Sequence, residues 1–528
     1  MMHRVLFAAG VAAFVVTGLA FKPAAAEDAA ALLARHKAYV GWAYGDGTLK
    51  SARVTVVAES PSPAPSPSPA AQRDPLAEPD GHVEVRREFL YRDTFSASDH
   101  GSEASGFTGS VFWESDVNGY TVTQHGRVAR IALTRDLIDA EALSEAPSES
   151  RPNVAFDGNP VAVVRIAPKN GVPADLYFNA VSGALAGYRL DPDNSDDRST
   201  IRVVEYAEFA PGKRYVSAYR FGRSHRTYRV TRFEANVPVS DADLHPPAPT
   251  SAWTFGEPST VPVSVVLHTQ QYSSIGRSVH VDATVNGHVG HFLFDSGAGG
   301  VLVFEPLAKA AGLVDVGHSA YSGVNGVRIA ATDARVDSLS IGGNTLHNLI
   351  VTRSEYGFSG VDGIIGYDVL AGAVVDVDLV AKTLTIHDPA TFEAPTPRAA
   401  FAFPIDNTAF HAGVPLKVND QILRSVWLDT GDDFFVILPH LLERKTISLD
   451  AGFAYFGGVD GGSNEPARCV RLNEIRVGPF RYQNALSCFA PTDVFDPDGG
   501  LVGFDFLRHF NWTFDYPHGR VILTQNGL

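Results

Sequence analysis

The chain repeats itself, and a duplication constrains a fold more tightly than any single motif. "VDATVNGHVGHFLFDSGAGGVLVFEPLAKAAG" is echoed by "AGVPLKVNDQILRSVWLDTGDDFFVILPHLLE", and "SAYSGVNGVRI" by "FAYFGGVDGGS". "GVDGIIGYDVLAGAVVDVDLVAKTLTI" returns as "DGGLVGFDFLRHFNWTFDYPHGRVIL". The spacing holds across three landmarks: Asp295 to Asp429 is 134 residues, Tyr321 to Tyr455 is 134, and Gly366 to Gly503 is 137. Residues 263–392 and 400–528 therefore read as two copies of one strand-rich unit. Each copy is short for a self-sufficient domain, so the two are expected to pack about an approximate twofold axis that brings equivalent points together.

One pair of equivalent points is chemically unusual. "HFLFDSGAGG" and "VWLDTGDDFF" each run an apolar strand into a carboxylate and then into glycine. An unpaired charge at the end of a buried strand is expensive. A single Asp-Ser/Thr-Gly is equally well explained as a turn. Two in register suggest that Asp295 and Asp429 are meant to meet.

These motifs resemble the pepsin/retropepsin clan of aspartic proteases: a strand ending in Asp-Ser/Thr-Gly, a glycine-rich hairpin, and a later "GIIG" or "GLVG". The likeness covers roughly 260 to 528, with both lobes in one chain. It implies a bilobal, mainly β unit that hydrolyses peptide bonds with a water held between Asp295 and Asp429. Two carboxyls at such range share one proton because both cannot stay ionised, which supplies acid and base together. The likeness further implies that Ser296 and Thr430 bond across the axis, and that Gly297 and Gly431 give the tight loops. Tyr321 with Gly323 and Gly326, and Tyr455 with Gly457 and Gly458, would form flaps over a polypeptide substrate, Tyr321 carrying more weight. Ile364, Ile365, Leu501 and Val502 would wall the site, and are equally well read as ordinary core strand residues.

Two departures stand out. Asp432 occupies the place where retropepsins carry Ala, with Asp433 at the substrate-contacting position. In the first copy Ala298 fits, but Gly299 replaces that acid. The halves have diverged, as suits an asymmetric cleft.

The first 26 residues form a separate object: "MMHR", a run of 17 apolar or small residues, then "KPAAA" before Glu27. This reads as a cleaved secretory signal, short for a membrane span, and no later segment looks like one. Losing Arg4 and Lys22 with it takes the formal charge from −16 to −18, which disfavours nucleic acid as a partner. Periplasmic or secreted location permits a disulfide, expected between Cys469 and Cys488, the only two cysteines. No "HExxH" or paired "CxxC" occurs, so neither metal nor cofactor is expected.

Between the signal and the repeat lies a first domain, 27–250. It opens on a helical stretch whose Ala31, Leu32, Leu33 and Val40 could share an apolar face. A Pro/Ser-rich run at 60–75 cannot build a core. Strand-like runs with short turns follow and suggest a curved antiparallel sheet. "DPDNSDDRSTIR" looks like a calcium loop but has Asp196 where Gly is needed and Arg202 where a bidentate Glu belongs. The series "LLARHKAYVGW", "DLYFNAVSGALAGYRL", "RVVEYAEFAPGKRYVSAYRF" and "YRVTRFEANVPVSDADLHPP" resembles the LolA-type lipoprotein-carrier superfamily. That likeness implies a half-barrel with an apolar concave face and offers an alternative function, a non-enzymatic carrier of lipid, lipoprotein or peptide. Residues 251–262 read as a linker.

Overall fold

Runs of Val, Ile and aromatic residues broken by glycine and proline favour strands, and the protein is mainly β. The structure, a computed structural model, describes residues 28–59, 81–96, 102–193, 199–222, 226–257, 259–269, 275–322, 328–355, 357, 360–394, 400–404, 406–408, 410–419, 421–432, 436–438, 449–456, 465–489 and 499–527. The apolar start 1–26, the Pro/Ser run, Gly323, Gly326, Gly457, Gly458 and Asp433 lie outside the described residues.

The first domain is an open 13-stranded sheet whose described pairings are all antiparallel. Its first strand, Ser51–Glu59, pairs on one side with Gly81–Arg87 and on the other with the last, Thr227–Ala235. The opening helix, Ala29–Val40, is capped by Asp28, which accepts from Ala31 N at 3.2 Å. Its buried face is Ala29, Leu32, His36 and Val40; Ala31 is exposed and Leu33 half-buried. Leu32 and Val40 lie on that face as expected, but Ala31 and Leu33, one step to either side of Leu32, turn about 100° away from it. A histidine belongs to that face because both ring nitrogens are satisfied, Nδ1 by Gly183 O at 2.8 Å and Nε2 by Glu141 at 3.0 Å.

A second helix, Gly126–Asp139, contributes Ile131 and Ile138 to a cavity of ≈ 390 Å³ whose sheet side includes Val54, Val56, Tyr188 and Tyr219. The wall is not uniformly apolar. Arg86 is buried there with Glu84 at 2.8 Å and Asp136 at 2.9 Å. Asp191, which opens the calcium-like stretch, pairs with Arg127 at 2.7 Å, and residues 194–198 of that stretch lie outside the described residues.

In the C-terminal half each copy of the repeat folds the same way. The strand His288–Phe294 runs parallel to Gly363–Ile365, and Leu302–Phe304 lies antiparallel on the other side of that short strand. In the second copy Gln421–Leu428, Gly499–Val502 and Val436–Leu438 reproduce the arrangement. A loop that leaves one strand and returns across its parallel neighbour is thereby pinned at both ends, and each aspartate begins such a loop.

The lobes are joined by a shared sheet. Val374–Asp378 of the first copy pairs antiparallel with Phe510–Asp515 of the second. Asp376 faces Thr513, its own counterpart at the 137-residue spacing, so the pseudo-twofold axis passes through this pair. Behind it Val375, Val377, Trp512 and Phe514 are buried in one continuous core.

The expected linker is not a free connection. Ala252–Thr254 pairs with the strand Asn344–Ser354, and Thr260–Thr269 already belongs to the shared sheet. Trp253 and Phe255 stack at 5.4 Å and pack on the core. Two large aromatics within three residues are too costly to leave in water.

Candidate active site

Backbone bonds place the two acidic loops before any side chain is considered. Asp295 N donates to Ile365 O and Asp429 N to Val502 O, each at 2.9 Å. Further round, Tyr367 N donates to Ala298 O at 3.0 Å and Phe504 N to Asp432 O at 2.6 Å. The two loops therefore carry the same bonds about one axis.

The hydroxyls then lock one loop to the other. Ser296 N donates to Thr430 Oγ1 at 3.0 Å, and Thr430 N to Ser296 Oγ at 3.1 Å. Each hydroxyl passes its own proton onward: Ser296 Oγ to Leu428 O at 2.7 Å, Thr430 Oγ1 to Phe294 O at 2.9 Å. Both side chains are fully buried, where unpaired hydroxyls would be costly. The result is a closed ring of four bonds with every donor used.

The carboxyls cross over. A Cβ built on Gly297 would fall on the Asp429 carboxyl, and one on Gly431 on that of Asp295. Each aspartate also accepts from its own loop: Asp295 Oδ1 from Gly297 N at 2.8 Å, Asp429 Oδ1 from Gly431 N at 2.8 Å and Asp432 N at 3.1 Å. The two carboxyls are thereby brought near enough for each to act on the other's proton.

Withdrawal from water pushes both carboxyls above the ordinary aspartate range, and Asp429 furthest. The negative charges of Asp295 and Asp432 add to the rise at Asp429. At Asp295 the hydrogen bond from the Asp429 side, the Gly297 N–H and the charge of His411 work the other way. The pair accordingly retains one proton, seated toward Asp429.

His411 was not singled out by the sequence. Its Nε2 donates to Gly297 O at 2.7 Å, and its ring stacks on Trp427 at 4.0 Å and 9°. It comes from the strand His411–Val418 of the second copy and braces the first copy's loop. Nothing in the repeat marks it, since residue 277, one repeat spacing earlier, is Arg.

The remaining candidates divide. Tyr321 lies on the hairpin Val314–Ser322/Arg328–Ile341, shares a hydrogen bond with Ser354 Oγ at 2.7 Å, and packs beside Leu293 and Ile364. Ile365 and Val502 face the main core instead, and Leu501 is fully buried. Tyr455 lies opposite Pro466 in the matching second-copy hairpin, Leu449–Phe456/Glu465–Val477. Cys469 and Cys488 are bonded, and face each other in register on adjacent strands.

The aspartyl protease family model matches the chain twice, over residues 281–369 and 414–506. The C-terminal half is similar, lobe by lobe, to aspartyl proteases. That likeness supports a peptidase with a polypeptide substrate, and both matched segments lie beyond the first domain. No curated protein matches the chain. Among the described residues no helix is long and apolar enough to cross a membrane.

Proposed function

We propose that the protein is an exported aspartic endopeptidase. The observation that carries this reading is the reciprocal crossing, in which each aspartate occupies the space above the other loop's glycine. Such a pair holds a water between its carboxyls. The ionised acid, Asp295, takes a proton from that water as its oxygen attacks the peptide carbonyl. The protonated acid, Asp429, gives its proton to the carbonyl oxygen. Collapse of the tetrahedral species returns that proton to Asp429 and passes the other to the departing nitrogen as the C–N bond breaks, leaving the dyad as it began.

Export is supported by the apolar start of the chain and by the disulfide, a bond that persists in oxidising compartments. Tyr321 and the two hairpins would lie over the substrate. The carrier alternative draws on the N-terminal cavity alone, whose buried charges do not favour an apolar guest.

Asp295→Asn tests the reading directly. Cleavage of an unfolded protein substrate is expected to fall by at least about 10²–10⁴-fold, with circular dichroism and melting temperature retained. Undiminished cleavage by that variant sinks it.

A further inference from the structure

One turn of the first domain reaches the back of the first catalytic loop, and the strand that follows it packs on Asp406–Thr408 and buries Val122 in the protease core. Asp116 to Tyr120 connects the strands Phe112–Ser115 and Thr121–Gln124. It is held in shape by Asp116, whose Oδ1 accepts from Asn118 N at 3.0 Å and Tyr120 N at 2.8 Å. Gly119, at φ 82°, lies so near Ala248 O that an added Cβ would meet it at 2.5 Å. The turn is thus held tightly against the end of its own domain.

At its tip Asn118 is 1% exposed. Its Nδ2 donates to Ile350 O at 2.9 Å and to Asp368 Oδ1 at 3.0 Å, while its Oδ1 accepts from Ile350 N at 2.8 Å. The other oxygen of Asp368 accepts from Val301 N at 2.7 Å. Val301 ends the loop that Asp295 begins, and a Cβ on Gly300 would lie 2.9 Å from the same Asp368 oxygen. One carboxylate therefore links the foreign turn to the catalytic loop.

The molecule contains its own comparison. Asp368 follows Gly366-Tyr367, and its repeat counterpart Asp505 follows Gly503-Phe504. Asp505 is exposed and pairs with Arg508 at 3.4 Å, whereas Asp368 is 3% exposed beneath Asn118. The first domain has covered one lobe's acid and left the other in water. Asp116 adds a second feature. Its Oδ2 is buried without a hydrogen-bond partner, and the Asp368 carboxyl is near enough for the two acids to act on each other's protons. A proton between the two acids supplies the missing hydrogen bond. Burial and the Asp368 charge push Asp116 well up, and burial takes Asp368 to about 6. The phenols of Tyr120 and Tyr367 face the same pair, and burial keeps both neutral.

We propose that the Asp116–Tyr120 turn is a working part of the protease, with Asn118 acting through Asp368 as a positioning residue for the Asp295 loop and Asp116 supplying the proton that keeps the turn seated. The proposal rests on the peptidase reading for its kinetic consequences, but the coupling of turn to loop is measurable without it. As pH rises through the titration of the acid pair, two carboxylates face one another in a dry interface. The turn then leaves and the loop loosens.

The test uses the whole chain and two variants. Asn118→Ala is expected to lower kcat by about 10–100-fold with KM little changed, the cost of a slightly misplaced catalytic group. It is also expected to speed hydrogen exchange at the Val301 amide. Asp116→Asn supplies an amide donor for Asp368 and removes one of the two titrating acids, so that an ionised Asp368 no longer faces a second carboxylate; it is expected to retain kcat in acid and hold activity to higher pH than wild type. Wild-type kcat and exchange in Asn118→Ala, or an unshifted alkaline limb in Asp116→Asn, overturns the proposal. If Asn118→Ala fails to fold, Asp116→Asn decides alone. If the wild-type chain cleaves nothing, the peptidase reading fails, and Val301 exchange followed against pH in wild type and Asp116→Asn still decides the coupling.

Discussion

At Gly297 and Gly431 the missing side chain leaves room for the opposite aspartate, so these glycines serve space rather than backbone freedom. That distinction could not be read from "DSG" or "DTG", where either reason selects glycine. Asp432 shows the reverse case. The sequence marks it as a departure, and the structure gives it a consequence, since its charge adds to the rise at Asp429. Removing a nearby negative charge favours ionisation, so Asp432→Asn should lose the dyad's proton at lower pH. We expect the alkaline limb of its pH–rate profile to move toward acid, with the Asp432 N–H bond to Asp429 kept. A limb that stays put, or moves toward alkali, contradicts this account. Asp368 was partly legible: "GYD" and "GFD" recur at the repeat spacing, which flags the acid but not the turn that buries it.

At the scale of elements, the threaded strands explain why three residues suffice for Gly363–Ile365. It is bonded on both edges and its neighbours fix both ends of the catalytic loop. The hairpin Glu465–Val477/Phe480–Phe489 is different: it carries the disulfide in its paired register and spans much of the second lobe. Cross-linking across 19 residues constrains the unfolded chain by about 3 kcal/mol. Replacing both cysteines with alanine should lower the melting temperature by several degrees and leave the dyad's pH profile unchanged. An unaltered melting temperature would show that the bond is thermodynamically idle. The helix Ala29–Val40 marks a limit of sequence reading, because composition alone could not admit His36 to the buried face. Its acceptance depends on Gly183 and Glu141, more than a hundred residues away.

For the molecule as a whole, the acid pair at the domain junction sets a sign for stability against pH. Asp116 and Asp368 are both raised in the folded protein, so the fold holds a proton that the unfolded chain releases above about 4. Stability from this junction is full below that point and is lost as pH rises through about 6 and beyond. Asp116→Asn should therefore gain melting temperature relative to wild type at pH 7 to 8, and little at pH 4. Equal gains at both would assign the effect to packing instead. The duplication, the two acidic loops, their hydroxyl partners and the cysteine pair were all legible in the sequence, because each is a local pattern or a fixed spacing. Tertiary structure alone decided that the lobes share one sheet, that the supposed linker is a strand, that His411 braces the opposite loop and that a turn of the first domain seals Asp368. Those features join segments about ninety or more residues apart through strand pairing, side-chain hydrogen bonds and buried contacts, and no periodicity along the chain records which distant surface a side chain will meet.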